Sequence, residues 1–467
     1  MSGSSKSLPL QFSGVVPSLA QVSDFGPPRS ECGVGCLMPW NGKLYILNYS
    51  SHTRRTGTGT GLRVVESDFT MTRHPEAVDG TYANRFIHFP TQQLIIGPHV
   101  IDRDHNVRTI HGLKDVRLTG TARHLVDPAN MVYMLGMEGE LFELNVNTLE
   151  YKQLFDLRHE LGTQKGQGYL NTHFKDCYSA YGRLVVVNND YHEPDWKGEQ
   201  YNGTLAEWDG TTWTVISRAP HVCVNGRWNF GGTIFATGWD RSSALLQVFT
   251  DCDKTWRTYR LPKASHCFDH KWQTEWPRIR EVEHERFLMD HHGMWYELSP
   301  WAYGGRVWGV RPISTHLWVH GDFCSWQGML VVGADNASAS DGQVTTTAEP
   351  QSGIWMGKTD DLWSQGKPTG WGGPWWDSKV KANEPSDPYL MTGFEHKCLH
   401  VTHQASKAVK FQVQVDFKGC GEYHTYTTLT VEPGGYAFHT FPTGFSAHWV
   451  RLVADTDTVA TAQLTYT

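Results

Sequence analysis

No stretch of this chain approaches the roughly 20 consecutive apolar residues that cross a bilayer, so no membrane partner is expected. Positive charge is scarce too: 41 Lys and Arg stand against 48 Asp and Glu, a formal net charge of −7 over 467 residues. That excludes a broad cationic field for nucleic acid, and any acidic ligand has to be met by local arginines. Long runs of Ala, Leu, Glu and Lys are few, which argues against helices. The opening MSGSSKSLPLQFSGVVPSLA has one lysine and no sustained apolar segment, so no secretory signal is visible. Nine cysteines make an odd count, and Cys32 and Cys36 lack CxxC spacing, which speaks against a zinc knuckle or a thioredoxin-like site. There is no GxSxG elbow for a nucleophilic serine and no acidic cluster resembling a calcium loop.

What is abundant is glycine, at 46, together with 20 Trp, 18 Tyr and 20 Phe, a composition of strands and turns. A turn, an apolar strand and a second strand opening near glycine recur along the chain. The copies include NGKLYILNY with GLRVVES, QQLIIGP with HVIDRDHNVRTI, NMVYMLGMEGELFELNVNTLEYKQL, and GRLVVVNND with GTLAEWDGTTWTVI. Further copies are GTIFATGWDRSSALLQVFTDCDKTWRTYRL, ERFLMDHHGMWYELSP with RVWGVRPI, and GMLVVGADN with SGIWMGKTDDLW. Repeats at about 45–60 residues bury their faces most readily as sheets packed around an axis. The expected fold is all-β, a seven-bladed β-propeller with a β-rich C-terminal segment packed against it. Residues 1–30 form an N-terminal arm, 31–385 the blades, and 386–467 a last blade, closing strands or a small appended β-sandwich.

In a propeller, residues at the openings of the innermost strands gather around one end of the axis. Upstream of successive repeats stand Asn84, Arg85 and His88; Arg123 and His124; Asn171 and His173; Arg227 and Asn229; Arg278 and Arg280; and His316. Taken singly, each histidine is an ordinary structural residue. Taken together, cationic and imidazole groups inside an acidic protein describe an anion site with proton-transfer groups in it. A scattered histidine set could also hold a divalent cation, such as calcium, in the channel.

Other motifs carry less. TGTGTGL at 56–62 feeds a strand rather than a helix N-terminus, so it reads as a wide turn and not a phosphate loop. His266 and His270 have i, i+4 spacing, but their neighbours make a helix doubtful. The DHH at 290–292 reads as a strand end. His52 follows a strand of the first repeat, away from the ring. Sequons at Asn48, Asn202 and Asn336 slightly favour secretion.

The segments ECGVGCLMPW, GTYANRFIH, QQLIIGPHVID, MEGELFEL, FATGWDR, LPKASHCFDH, TEWPRIREVE, YGGRVWGVRPISTH, GKTDDLW, GWGGPWW, SDPYLMTGF and GFSAHWVRL together resemble the rhamnose–glucuronate lyases of polysaccharide lyase family 42 and the related α-L-rhamnosidases of glycoside hydrolase family 145. The likeness runs from about residue 31 to the end. It implies a seven-bladed propeller and a substrate with rhamnose α-1,4-linked to glucuronic acid, the cap of gum arabic and other acidic arabinogalactan side chains. In the rhamnosidase relatives a single histidine on the posterior face is implicated, and His52 looks like it; the lyase relatives work at the anterior end.

A lyase takes the C5 proton of glucuronate and expels the C4 oxygen, which requires the carboxylate to be neutralised. His88 or His173 fits the acid or base role, with Arg227, Arg278 or Arg280 holding the carboxylate and Asn84, Arg85, Asn229 and His316 completing the site. Hydrolysis by paired carboxylates has no such pair at the strand openings, although His52 keeps a rhamnosidase open. A non-catalytic carbohydrate-binding propeller is the third possibility. The expected setting is extracellular, with a cytoplasmic alternative, and the expected state a monomer.

Overall fold

The computed structural model describes residues 21–22, 32–50, 60–162, 172–190, 203–264, 276–302, 306–307, 309–316, 319–334 and 351–467. Among these, seven antiparallel sheets follow one another along the chain. Their first, innermost strands are Cys32–Trp40, Arg85–His88, Leu118–Arg123, Thr172–Ala180, His221–Gly226, Arg278–Glu283 and His320–Trp326. Each innermost strand pairs with the next strand in sequence, and so on outward. Six of the sheets have four sequential strands from the propeller region, and the seventh has three described ones.

Two-residue turns with both residues at positive φ join the first and second strands of three sheets: Asn41-Gly42 (φ 44° and 91°), Tyr181-Gly182 (53° and 75°) and Gln327-Gly328 (50° and 76°). Their twist matches that of the flanking strands, which is why such turns close hairpins. The chain therefore folds back at the same end of the axis each time.

Neighbouring innermost strands are tied to one another all the way round. Cys36 Sγ donates to the Asn84 carbonyl at 3.3 Å, Ala83 N to the Leu118 carbonyl at 2.8 Å, and Thr119 Oγ1 to the Phe174 carbonyl at 2.8 Å. Val224 N donates to Asp176, Asn225 Nδ2 to the Ile279 carbonyl, and Ser325 Oγ to the Val282 carbonyl. Leu37 N closes the circuit onto Asp322 Oδ2 at 2.8 Å. A sequence of outward-growing sheets whose inner strands meet in a closed ring is a β-propeller. At the closing seam Gly321 has no room for a side chain, since a Cβ there would lie 1.7 Å from the Val34 carbonyl oxygen.

Strands sandwiched between two sheets are buried on both faces. Gln93–Ile96, Thr233–Trp239 and Ala244–Thr250 are buried at every position, so their sequences read as continuous apolar runs without alternation. The C-terminal strands differ. Lys397–His403 and Val409–Asp416 alternate between buried and more exposed residues, the mark of a sheet with one face to solvent. They belong to a β-sandwich. One of its sheets contains Gly370–Val380, Thr458–Tyr466, Lys397–His403 and Tyr436–Thr440. The other contains Tyr389–Leu390, Trp449–Ala454, Val409–Asp416 and His424–Val431, and it continues the fifth propeller sheet where Tyr389 pairs in parallel with Arg260.

The sandwich starts earlier than the sequence placed it. Gly370–Val380 pairs along its length with Thr458–Tyr466 and touches the propeller backbone through a bridge between Trp371 and Lys263. Its register shifts at Gly372/Trp375 and Trp375/Ser378, and these hide the alternation that would have marked it as part of the sandwich. One continuous core joins the two units, with Tyr259, Met294 and Val307 of the propeller packed among Trp449, Phe411 and Tyr466 of the sandwich.

Candidate functional site

Charged side chains occupy the middle of the axis. Asp322 is wholly buried; its Oδ1 accepts from Arg280 Nε at 2.8 Å and its Oδ2 faces Arg85 Nε at 3.0 Å. Burial works against a charge on this carboxylate, but the guanidinium groups of Arg280, Arg85 and Arg278 outweigh it and hold Asp322 below the usual carboxylate range. Asp176, in the fourth innermost strand, accepts backbone N–H groups from Val224 at 3.1 Å and Cys177 at 2.9 Å. For Asp176 burial wins: it is pushed toward its neutral form although Arg280 and Arg278 pull the other way. Arg280 and Arg85 thus face Asp322, with Arg278 acting from further along the axis, so the axis carries surplus positive charge when Asp176 is neutral.

A cavity of about 510 Å³ opens from this axis at the end where the innermost strands finish. Arg85, Arg280, Asp176 and Asn225 reach it from the axis; His88, Tyr178, Arg123 and Trp228 line it further out. The Arg123 guanidinium lies 3.9 Å from the centre of the Trp228 ring, an exposed cation–π contact at the rim. Burial pushes the Tyr178 phenol up, so it stays protonated. The His88 ring has Nδ1 2.7 Å from Thr91 Oγ1 and Nε2 3.1 Å from the Pro128 carbonyl. A carbonyl only accepts, so Nε2 carries the hydrogen and Nδ1 takes the Thr91 hydroxyl proton. Burial lowers the pKa of His88, which keeps the ring neutral.

The structure distributes the residues singled out from sequence over three levels. Arg85, Arg280 and His88 share the cavity. Asn84 lies just behind it, donating to the Gly97 carbonyl and to Thr121 Oγ1, both at 3.0 Å. Arg227 and Asn229 follow the fifth innermost strand instead of opening it; Arg227 is held by Glu281 at 3.3 Å and Glu285 at 3.7 Å, and Asn229 is exposed. His173 and Arg278 stand at the opposite, opening end. His173 Nε2 lies 3.5 Å from Arg117, and Arg278 packs over the Trp276 ring at 4.9 Å. His316 sits with His320 on Asp290, between the sixth and seventh sheets. Arg123 lines the cavity, whereas His124 packs against Tyr133 at 4.5 Å.

The expectation of one ring at one end therefore needs correction. Innermost strands share a direction, so residues before, within and after them fall at different depths. His52, Asn171, His266, His270, Asn202 and Asn336 lie outside the described residues. Of the sequons, Asn48 is fully buried with its amide donating to the Gly33 carbonyl at 2.9 Å, so it is not presented for glycosylation. Calcium does not fit the described axis: it takes 6–8 oxygen ligands, and the two carboxylates there already face guanidinium and backbone N–H groups.

Asp176, Asp322, Tyr178 and Trp228 were missed in sequence. A single acid in the middle of a strand, as in THFKDCYSA and HGDFCSW, was the available signal, since an acid is buried there only with partners.

No family model matches the chain, and no curated protein does. Among solved structures it is similar to the WD40 repeats of RRP9, at 12% identity over 74% of this chain and 99% of that one, with a TM-score of 0.39. It is also similar to a luciferin-regenerating enzyme, at 9% identity over 73% of this chain and 96% of that one, TM-score 0.38. The Cps50 (Swd1) β-propeller domain of Myceliophteria thermophila stands at 9% identity over 73% of this chain and 99% of that one, TM-score 0.36. At such scores the likenesses assign neither chemistry nor partner, and the propeller rests on the ring of sheets itself.

Buried histidines away from the cavity set a pH limit on the fold. Burial pushes His99 down to about 3 and His221 down to about 4. Unfolded, both titrate near 6.5. As pH falls below about 6.5 the unfolded chain gains protons that the native rings refuse, so stability falls until the native values are reached. Each ring contributes ~1.4 kcal/mol per pH unit, together about 3. Denaturation midpoints measured from pH 7 to 4.5 should decline on that scale, and a flat profile would contradict the assignment.

Proposed function

We propose that the chain is a polysaccharide lyase that releases terminal L-rhamnose from rhamnosyl-α-1,4-glucuronate caps of acidic arabinogalactan. The observation that carries this reading is the positive surplus on the axis at the floor of a cavity with room for a disaccharide. The segment-by-segment resemblance to rhamnose–glucuronate lyases supports the choice of substrate.

In this scheme the glucuronate carboxylate lies toward Arg85 and Arg280. Their charge stabilises the negative charge that builds beside C5 as the proton leaves, the step that otherwise sets the barrier. His88, neutral because it is buried, accepts that proton at Nδ1 as the Thr91 hydroxyl gives up its bond to the ring. The electron pair of the broken C5–H bond forms the C4–C5 double bond, and the C4–O bond breaks. Asp176 and Tyr178, both kept toward their protonated forms by burial, are the groups that supply a proton to the departing rhamnose oxygen. The products are rhamnose and a 4,5-unsaturated glucuronate.

Incubation of the protein with a rhamnosyl-glucuronate oligosaccharide distinguishes three outcomes. New ultraviolet absorbance from the unsaturated uronate together with free rhamnose is the expected result. Free rhamnose without absorbance would make the protein a hydrolase and direct attention to His52. Binding with no product would make it a carbohydrate-binding propeller.

A further inference from the structure

We propose that Asp290, His316 and His320 form a binding site for a divalent cation of the zinc type, seated between the sixth and seventh propeller sheets. The three residues come from different parts of the chain. Asp290 is near the end of the second strand of the sixth sheet, Arg286–His291; His316 directly follows the outer strand, Arg311–Thr315; and His320 begins the innermost strand of the seventh sheet. Their donor atoms lie within 4.8 Å of one another. His316 Nε2 is 2.9 Å from Asp290 Oδ1 and His320 Nδ1 is 2.8 Å from Asp290 Oδ2, with the two rings 4.3 Å apart.

The surroundings suit a cation better than a bare hydrogen-bonded bridge. The side chains of Asp290 and His320 are 5% exposed and that of His316 9%. A carboxylate so deeply buried requires positive charge beside it, and among the described residues its ion-pair partners are these two histidines, with no Lys or Arg.

The Trp295 indole closes one side, stacked on His320 at 4.7 Å and 5.5 Å from His316, and the backbone N–H of His316 is pinned to the Gly293 carbonyl at 2.9 Å. Rings held in this way are preset for binding. Two imidazole nitrogens and one carboxylate select zinc and its neighbours over calcium or magnesium, which take oxygen. Three protein ligands leave a fourth position for water. None of the three residues lines the cavity, so the ion would fasten two sheets together near the closing seam and take no part in the proposed elimination.

The test uses the full chain, stripped with a chelator and titrated with Zn²⁺, Co²⁺ or Ca²⁺. The expected result is one equivalent of Zn²⁺ or Co²⁺ bound, with a visible Co²⁺ absorption band of a low-coordinate nitrogen and oxygen site and no displacement by equimolar Ca²⁺. The zinc-loaded chain should also melt at a higher temperature than the stripped one. His316→Gln and His320→Gln should each weaken Co²⁺ binding by more than the roughly 10–100-fold typical of changes in outer-shell partners. If His320→Gln does not fold, His316→Gln still decides. Uptake far below one equivalent by the stripped wild-type chain, or unchanged Co²⁺ affinity and spectrum in the variants, would overturn the site.

Discussion

Asp322→Ala should destabilise the propeller by about 3–5 kcal/mol, the cost of removing one partner from a buried ion-pair network. The carboxylate is fully buried and answers Arg280, Arg85 and the Leu37 N–H at once. Its loss leaves two guanidiniums facing each other at the axis with the nearest remaining acid, Asp176, pushed toward neutrality. It also cuts the side-chain tie between the first and seventh sheets, where the ring closes. Asp322→Asn keeps the shape and one acceptor but not the charge, so its loss should be smaller. Denaturant unfolding of the two variants beside the wild type measures both. A loss below about 1 kcal/mol for Asp322→Ala, the scale of an ordinary surface ion pair, would mean that the axial network does not hold the propeller together.

His88→Ala should lower turnover of rhamnosyl-glucuronate by about 10²–10⁴, the usual contribution of a positioned acid–base group. Because the ring does not grip the carboxylate, the loss should appear in kcat more than in KM. The exposed His159, 79% accessible at its side chain, serves as the control, and His159→Ala should leave turnover unchanged. His52→Ala should largely spare the reaction. Full activity in His88→Ala with activity lost in His52→Ala would remove the chemistry from the cavity.

The strands were legible in sequence where packing on both faces left an unmistakable apolar run. QQLIIGP and NMVYMLGMEGELFELNVNTLEYKQL became strands of the second and third sheets as read. The sandwich was visible as strand-rich sequence, but its first strand, GWGGPWWDSKV, was not assigned to it. Glycines at 372 and 373 approach backbone and side chains of distant strands, and the register shifts at Trp375 break the period.

The site was legible in kind but not in depth. Arg85, Arg280 and His88 stood out as polar groups at strand beginnings and do meet in one hollow. Their placement depends on side-chain reach: Arg85 opens a strand of only four residues, and its guanidinium extends to the Leu37 carbonyl of the first innermost strand and the Phe323 carbonyl of the seventh. No local pattern reports that. Asp322 escaped notice for a related reason: the partners that make it tolerable in mid-strand are 42 and 237 residues away, at Arg280 and Arg85.

The most direct measurement of the central claim compares equilibrium binding of a rhamnosyl-glucuronate oligosaccharide with that of its carboxyl-reduced counterpart, in which a neutral CH2OH replaces the carboxylate. Under conditions that suppress turnover, a cationic axis beneath the cavity predicts that reduction weakens binding at least about tenfold, in keeping with the 1.5–3 kcal/mol of a hydrogen bond to a charged group. It also predicts that added salt narrows the difference. Equal affinity for the two sugars would contradict it.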